Sequence, residues 1–162
     1  MYKYLDHTSD IGILVKSKNL KGLFEEAVFA MFSLIGKINA GAIHELPKEY
    51  NVNLEDNSYA ELLVRFLNEF LYLFYAKNFL PVKISVPKTG KFFVESRVSF
   101  VRVNEKNFTF LREIKAATYH GASVSGGGVP SRRLTTGRHP HATAHFQPQA
   151  GKSFKAKILF DV

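Results

Sequence analysis

Three short segments of the 162-residue chain hold residues that could do chemistry. The first, Asp6-His7-Thr8-Ser9-Asp10, gathers two carboxylates, an imidazole and two hydroxyls directly before an apolar run that begins at Ile11. Such an oxygen-rich set suits a hard cation: Ca2+, Mg2+ or Mn2+. The commoner use of these residue types is a polar turn whose Asp and Thr side chains cap the backbone. The second segment is Asp161-Val162, which follows the apolar run Phe154–Phe160. If Val162 is the natural terminus, its α-carboxylate adds oxygen ligands beside Asp161, although most chain ends are simply solvated. The third is Glu113–His120, in which Lys115 opens an apolar strand. Its ammonium could bind a phosphate or pair with clustered carboxylates, and strand-edge lysines also serve to block aggregation.

The elements that must position these groups are two helices and a set of strands. From Leu20 to Ile35 the apolar residues recur at helical spacing, with Asn19 as N-cap and Gly36 as stop. A second helix begins where Ser58 and Glu61 stand in capping-box spacing and runs through Leu62, Leu63, Phe66, Leu67, Phe70, Leu71 and Phe74. Strand patterns cover Ile11–Lys16, Tyr50–Leu54, Leu80–Val86, Lys91–Val103, Ala116–His120 and Phe154–Phe160. Lys88-Thr89-Gly90 and Asn104–Asn107 read as hairpin turns. This order predicts an α+β fold, two helices packed on a largely antiparallel or mixed β-sheet.

Composition narrows the classes. The chain is 46% hydrophobic, enough for a single domain to build a core without disulfides or a structural metal. It has no Cys, which excludes thiol catalysis and sulfur-ligated zinc. The net charge of +8 invites a nucleic-acid partner, yet half of it lies in residues 123–152, where Arg132, Arg133, Arg138 and Lys152 stand without one Asp or Glu. Leu62–Phe74, the most apolar stretch, is broken by Arg65, Asn68 and Glu69 and falls short of the ~18 residues of a membrane span. No secretory signal is visible, so the expectation is a cytoplasmic protein without a membrane partner.

Taken together, the three segments resemble the signatures of the archease family. Tyr4-Leu5-Asp6-His7-Thr8-Ser9-Asp10-Ile11-Gly12 looks like its opening motif, Glu113-x-Lys115-Ala116-x-Thr118-Tyr119-His120 like its second and Phe160-Asp161-Val162 like its third. The intervening helices are similar as well, through Leu23-Phe24-Glu25-Glu26-Ala27 with Met31-Phe32 and through Leu62-Leu63 with Phe66-Leu67-Asn68-Glu69. The resemblance covers residues 2–122 and 153–162. It implies a two-layer α+β fold with a bound divalent cation, most often Ca2+, with Mg2+ or Mn2+ as alternatives. It also implies an accessory protein that promotes guanylylation and multiple turnover of the tRNA-splicing RNA ligase, meeting RNA through that partner and not acting as an enzyme itself. Carried over by position, Asp10, Asp161 and Val162 are the implied metal ligands. Lys115 is the implied functional lysine, and Asp6, His7 and Glu25 are implied support residues.

The chain departs from the family between His120 and Phe154, where a short hairpin is expected. Residues 123–152 form a Gly-, Arg- and His-rich insertion within the single domain 1–162, expected to be flexible. Its His139, His141 and His145 could bind a transition metal, although a solvated loop is the commoner fate of such a stretch. Two other functions compete with the accessory role. One is a metal-dependent phosphodiesterase using Asp6, His7, Asp10 and Lys115. The other is a general nucleic-acid-binding module driven by the positive balance.

Overall fold

The computed structural model describes residues 1–6, 11–127 and 153–162, with Asp6 described by its main chain alone. The insertion histidines and arginines, together with His7 and Asp10, lie outside the described residues. The elements in chain order are β1 (Tyr2–Asp6), β2 (Ile11–Ser17), α1 (Leu20–Ile35), β3 (Gly36–Ile38), a 3-10 turn (Ala40–Ala42), β4 (Lys48–Glu55) and α2 (Tyr59–Lys77). They continue with β5 (Phe79–Gly90), β6 (Phe93–Arg102), β7 (Phe108–Phe110), β8 (Ala116–Ser125) and β9 (Phe154–Asp161).

Both helices start where their caps predict. The Asn19 side chain accepts the Gly22 N–H at 2.8 Å, and the Ser58 hydroxyl accepts the Glu61 N–H at 3.2 Å. In each case a side-chain oxygen takes a main-chain donor that the first turn cannot satisfy. Asn78 ends α2 in the left-handed conformation at φ 55°, its N–H on the Leu73 carbonyl. The apolar stripes then meet through edge-to-face ring pairs, Phe24 on Phe66 at 5.2 Å and Phe32 on Phe74 at 5.3 Å.

The strands form a four-stranded sheet in the order β1-β2-β9-β8, a three-stranded sheet β4-β6-β5 and the pair β3-β7. Every strand pairing among the described residues is antiparallel. Both helices lie against strands of the larger sheets, α1 on β2 and β5, α2 on β8, β4 and β5. This is the expected α+β two-layer arrangement. The inward positions of the four-stranded sheet are Ile13, Val15, Phe154, Ala156, Ile158 and Phe160, all buried. No helix among the described residues is long and apolar enough to cross a membrane.

Three local features differ from expectation. Strand β5 continues through Gly90, and the chain reverses at Lys91-Phe92, where Phe92 has φ 62°. The Phe92 ring packs on Tyr59 at 5.0 Å and its carbonyl accepts the Asp56 N–H, so tertiary contacts hold a conformation that a bulky residue seldom adopts. Asn104–Asn107 is a turn, since Asn104 Oδ1 accepts the Lys106 and Asn107 N–H groups. It makes no hairpin, because β7 leaves β6 and pairs with β3. Strand β8 runs on through Ser125, so Ser123, Val124 and Ser125, expected in the flexible insertion, pair with Lys157, Ala156 and Lys155 of β9.

Candidate functional site

Antiparallel register brings the three motif segments to one end of the four-stranded sheet. Asp6 pairs with Ile11, Ile11 with Phe160, and Phe160 with Ala117, a single row across all four strands. Asp161 pairs with Ala116, one step nearer the sheet end. Segments more than a hundred residues apart in sequence therefore share one edge of the molecule.

Lys115 stands immediately before β8 and is exposed. Its N–H donates to the Asp161 carbonyl at 2.8 Å, and its Nζ donates to the Val162 main-chain oxygen at 3.0 Å. Asp161 is exposed, and its carboxylate has no hydrogen-bond or ion-pair partner among the described residues. Among the described residues, the end of the sheet thus presents the Asp161 carboxylate, main-chain oxygens and the Lys115 ammonium.

Helix α2 fixes this arrangement from below. The Asn68 amide accepts the Ala117 N–H at 2.8 Å and donates to the Ala117 carbonyl at 3.0 Å, so one side chain satisfies both main-chain groups of a buried residue. Seven residues on, along the same helix face, the Tyr75 hydroxyl accepts the Ile114 N–H at 3.2 Å. Burial pushes the Tyr75 phenol above its ordinary value, the Ile114 bond pulls the other way, and the Glu113 charge raises it. Lys115 is held between two residues that α2 grips.

Beyond Thr118 the pairing is interrupted. Thr118 faces Leu159 and Ser123 faces Lys157, so Tyr119–Ala122 stand opposite Ile158 alone. Gly121 takes φ +66°, a conformation glycine adopts without strain. The second motif therefore ends in a bulge that exposes Tyr119 and His120.

The archease protein family (MTH1598/TM1083) has a family model that matches residues 2–162. The chain belongs to the archease family. It is 33% identical over 126 residues to protein archease of Methanosarcina acetivorans, covering 74% of this chain and 82% of that one. To protein archease of Pyrococcus furiosus it is 29% identical, covering 76% of this chain and 87% of the relative. Its fold is similar to the solution structure of Methanobacterium thermoautotrophicum protein 1598, with TM-score 0.60 at 18% identity over 99% of this chain and 98% of the other. It is also similar to the crystal structure of an archease from Thermotoga maritima, with TM-score 0.53 at 20% identity over 100% and 98% of the two chains.

Against this archease frame the expected site residues fall into groups. Lys115, Asp161 and Val162 come together at the sheet end. Asp6 reaches the same row by its main chain. His7 and Asp10 lie outside the described residues. Glu25 has a different engagement: its carboxylate accepts the Val86 N–H at 2.7 Å, at the irregularity between Ser85 and Lys88 where β5 slips against β6. Lys21, one turn earlier, donates to the Pro87 carbonyl of the same irregularity. Sequence reasoning misses the parts played by Asn68 and Tyr75. The available signal is an amide and a phenol sharing the face of α2 that also carries Leu71.

An open groove of about 620 Å3 lies elsewhere, lined in part by His44, Glu45, Arg102 and Lys106. Among the described residues, none of the three signatures contributes to its lining.

Proposed function

We propose that this archease is a metal-dependent accessory protein that activates the tRNA-splicing RNA ligase by promoting its guanylylation and multiple turnover. The observation that supports this reading is the convergence of the three motif segments on one sheet end around Asp161. A rigid tip of that kind can enter a partner's active site, and the protein meets RNA through the ligase, in the cytoplasm.

The cation, Ca2+ in the first instance, would be held by Asp10, Asp161 and Val162. The donor chemistry fits, because the tip offers oxygen atoms and no sulfur. Among the described residues no group of three His, Cys, Asp or Glu side chains could hold a metal, and Asp10 is the further ligand that the first motif implies. In sequence Asp10 adjoins Ile11, whose register partner Phe160 adjoins Asp161. When bound, a divalent cation supplies positive charge to phosphate oxygens. Lys115 keeps the Val162 oxygen in place and brings an ammonium to the same edge.

The test is a ligase-guanylylation assay with the parent protein and with the Asp10→Ala and Asp161→Ala variants. Loss of stimulation in variants that melt like the parent is the expected result. Normal stimulation by both would remove the metal tip from the mechanism. RNA or nucleotide turnover without any ligase would favour an enzyme instead.

A further inference from the structure

The outer face of the four-stranded sheet carries a lysine cluster that the tip does not use. Alternation places Ile13, Val15, Ala156 and Ile158 in the core, so Leu14, Lys16, Lys155, Lys157 and Leu159 point the other way. Register sets Lys3 beside Leu14, Leu14 beside Lys157 and Lys157 beside Ser123. In the next row Lys16 lies beside Lys155 and Lys155 beside Ser125. Four lysines and two serines therefore occupy two adjacent rows of one face.

None of these lysines has an ion-pair partner among the described residues. Lys16 and Lys155 are directly opposite, an arrangement that destabilises an antiparallel pair. On this face of β9 the acidic side chain is Asp161, at the far end of the strand. A sheet that tolerates such repulsion without compensation presents a surface suited to an anion.

We infer that this face binds the phosphate backbone of RNA directly. Lysine ammoniums flanked by serine hydroxyls are donors that phosphate oxygens accept. Strands about 5 Å apart and lysines about 7 Å apart along β9 offer a line of charges to an extended chain. Leu14 is half-buried and Leu159 buried, so among the described residues of this face Met1, opposite Lys16, is the apolar side chain that protrudes, too little to anchor the face in a lipid surface. The absence of an aromatic residue among these positions makes the contact one of charge, independent of base sequence. This direct contact is additional to the one made through the ligase, needs no ligase to be measured, and stands apart from the metal tip.

The experiment measures binding of the full chain to a single-stranded uridine oligonucleotide across a salt series. Four phosphate contacts predict a slope of log affinity on log salt near −2.8, about a 50-fold loss from about 50 to about 200 mM. Each Lys→Gln change at positions 3, 16, 155 and 157 should make the slope shallower by about 0.7. The quadruple Lys→Gln variant should bind far more weakly yet melt no lower than the parent, because the Lys16–Lys155 repulsion is gone. A quadruple Lys→Arg variant should keep the affinity. An unchanged slope in the Lys→Gln variant, loss of binding in the Lys→Arg variant, or binding to phosphatidylserine vesicles but not to RNA would overturn the inference.

Discussion

Lys115 holds Val162 by its side chain, Nζ to main-chain oxygen at 3.0 Å, and holds Asp161 by its main chain at 2.8 Å. One residue thus ties the start of β8 to the end of β9. The side-chain bond is exposed, so its contribution to stability is small. Lys115→Ala should melt within about 3 °C of the parent. Under the accessory reading its ligase stimulation should fall on the order of tenfold or more, as for other residues that orient a metal site. A thermal melt beside a guanylylation assay checks both, and unchanged stimulation would make Lys115 a strand-end residue only.

Asn68 satisfies the N–H and carbonyl of Ala117 with one amide. Asn68→Ala should cost about 2–3 kcal/mol, because it leaves both main-chain groups without their partner. Urea unfolding measures the loss. Hydrogen exchange at the Ala117 N–H should accelerate more than the global change requires, since β8 opens locally.

Glu25 supports the β5 irregularity through Val86. Glu25→Gln keeps an acceptor oxygen and should leave both stability and ligase stimulation close to the parent's. Glu25→Ala orphans the Val86 N–H and should cost about 1–3 kcal/mol. Lost stimulation in a stable Glu25→Gln protein would give the carboxylate charge a functional part.

Burial raises the Tyr75 phenol above the ordinary tyrosine value of about 10. Below that pH the phenol is protonated in both folded and unfolded chains. Above it the unfolded chain ionises first, so stability falls as pH rises and continues to fall through the folded value. Tyr75→Phe should flatten part of this alkaline loss while lowering stability at neutral pH, because the Ile114 N–H loses its acceptor. Denaturation at stepped pH distinguishes the two effects.

Gly12, in the first motif, sits on β2 between β1 and β9, and a Cβ there would meet the Ile158 carbonyl oxygen and Leu159 Cδ2 at 2.7 Å each. Gly12→Ala should cost about 1–3 kcal/mol by overpacking. Chemical denaturation reads the difference. An equally stable variant would mean that β9 shifts freely, contrary to a rigid tip.

The two helices are legible in the sequence because their signals are local. Asn19 and Ser58 cap the first turns, and the apolar stripes recur at helical spacing. Strands of seven or more residues show themselves by alternation or by a β-branched apolar run, whereas Gly36–Ile38 and Phe108–Phe110, three residues each, are too short to establish a period. The reversal at Lys91-Phe92 is hidden because Tyr59 and Asp56, far along the chain, hold it.

Local pattern was enough to place Asp161, Val162 and Lys115 in motifs whose order and spacing resemble those of one family. Their spatial relations came from the fold. Pairing register is a property of two strands at once, so neither strand alone reveals that Lys115 meets Val162 or that Asn68 grips Ala117. The same holds for charge. The +8 balance counts lysines without regard to place, and the fold sets Lys3, Lys16, Lys155 and Lys157 on one sheet face while Glu25 turns to a main-chain N–H.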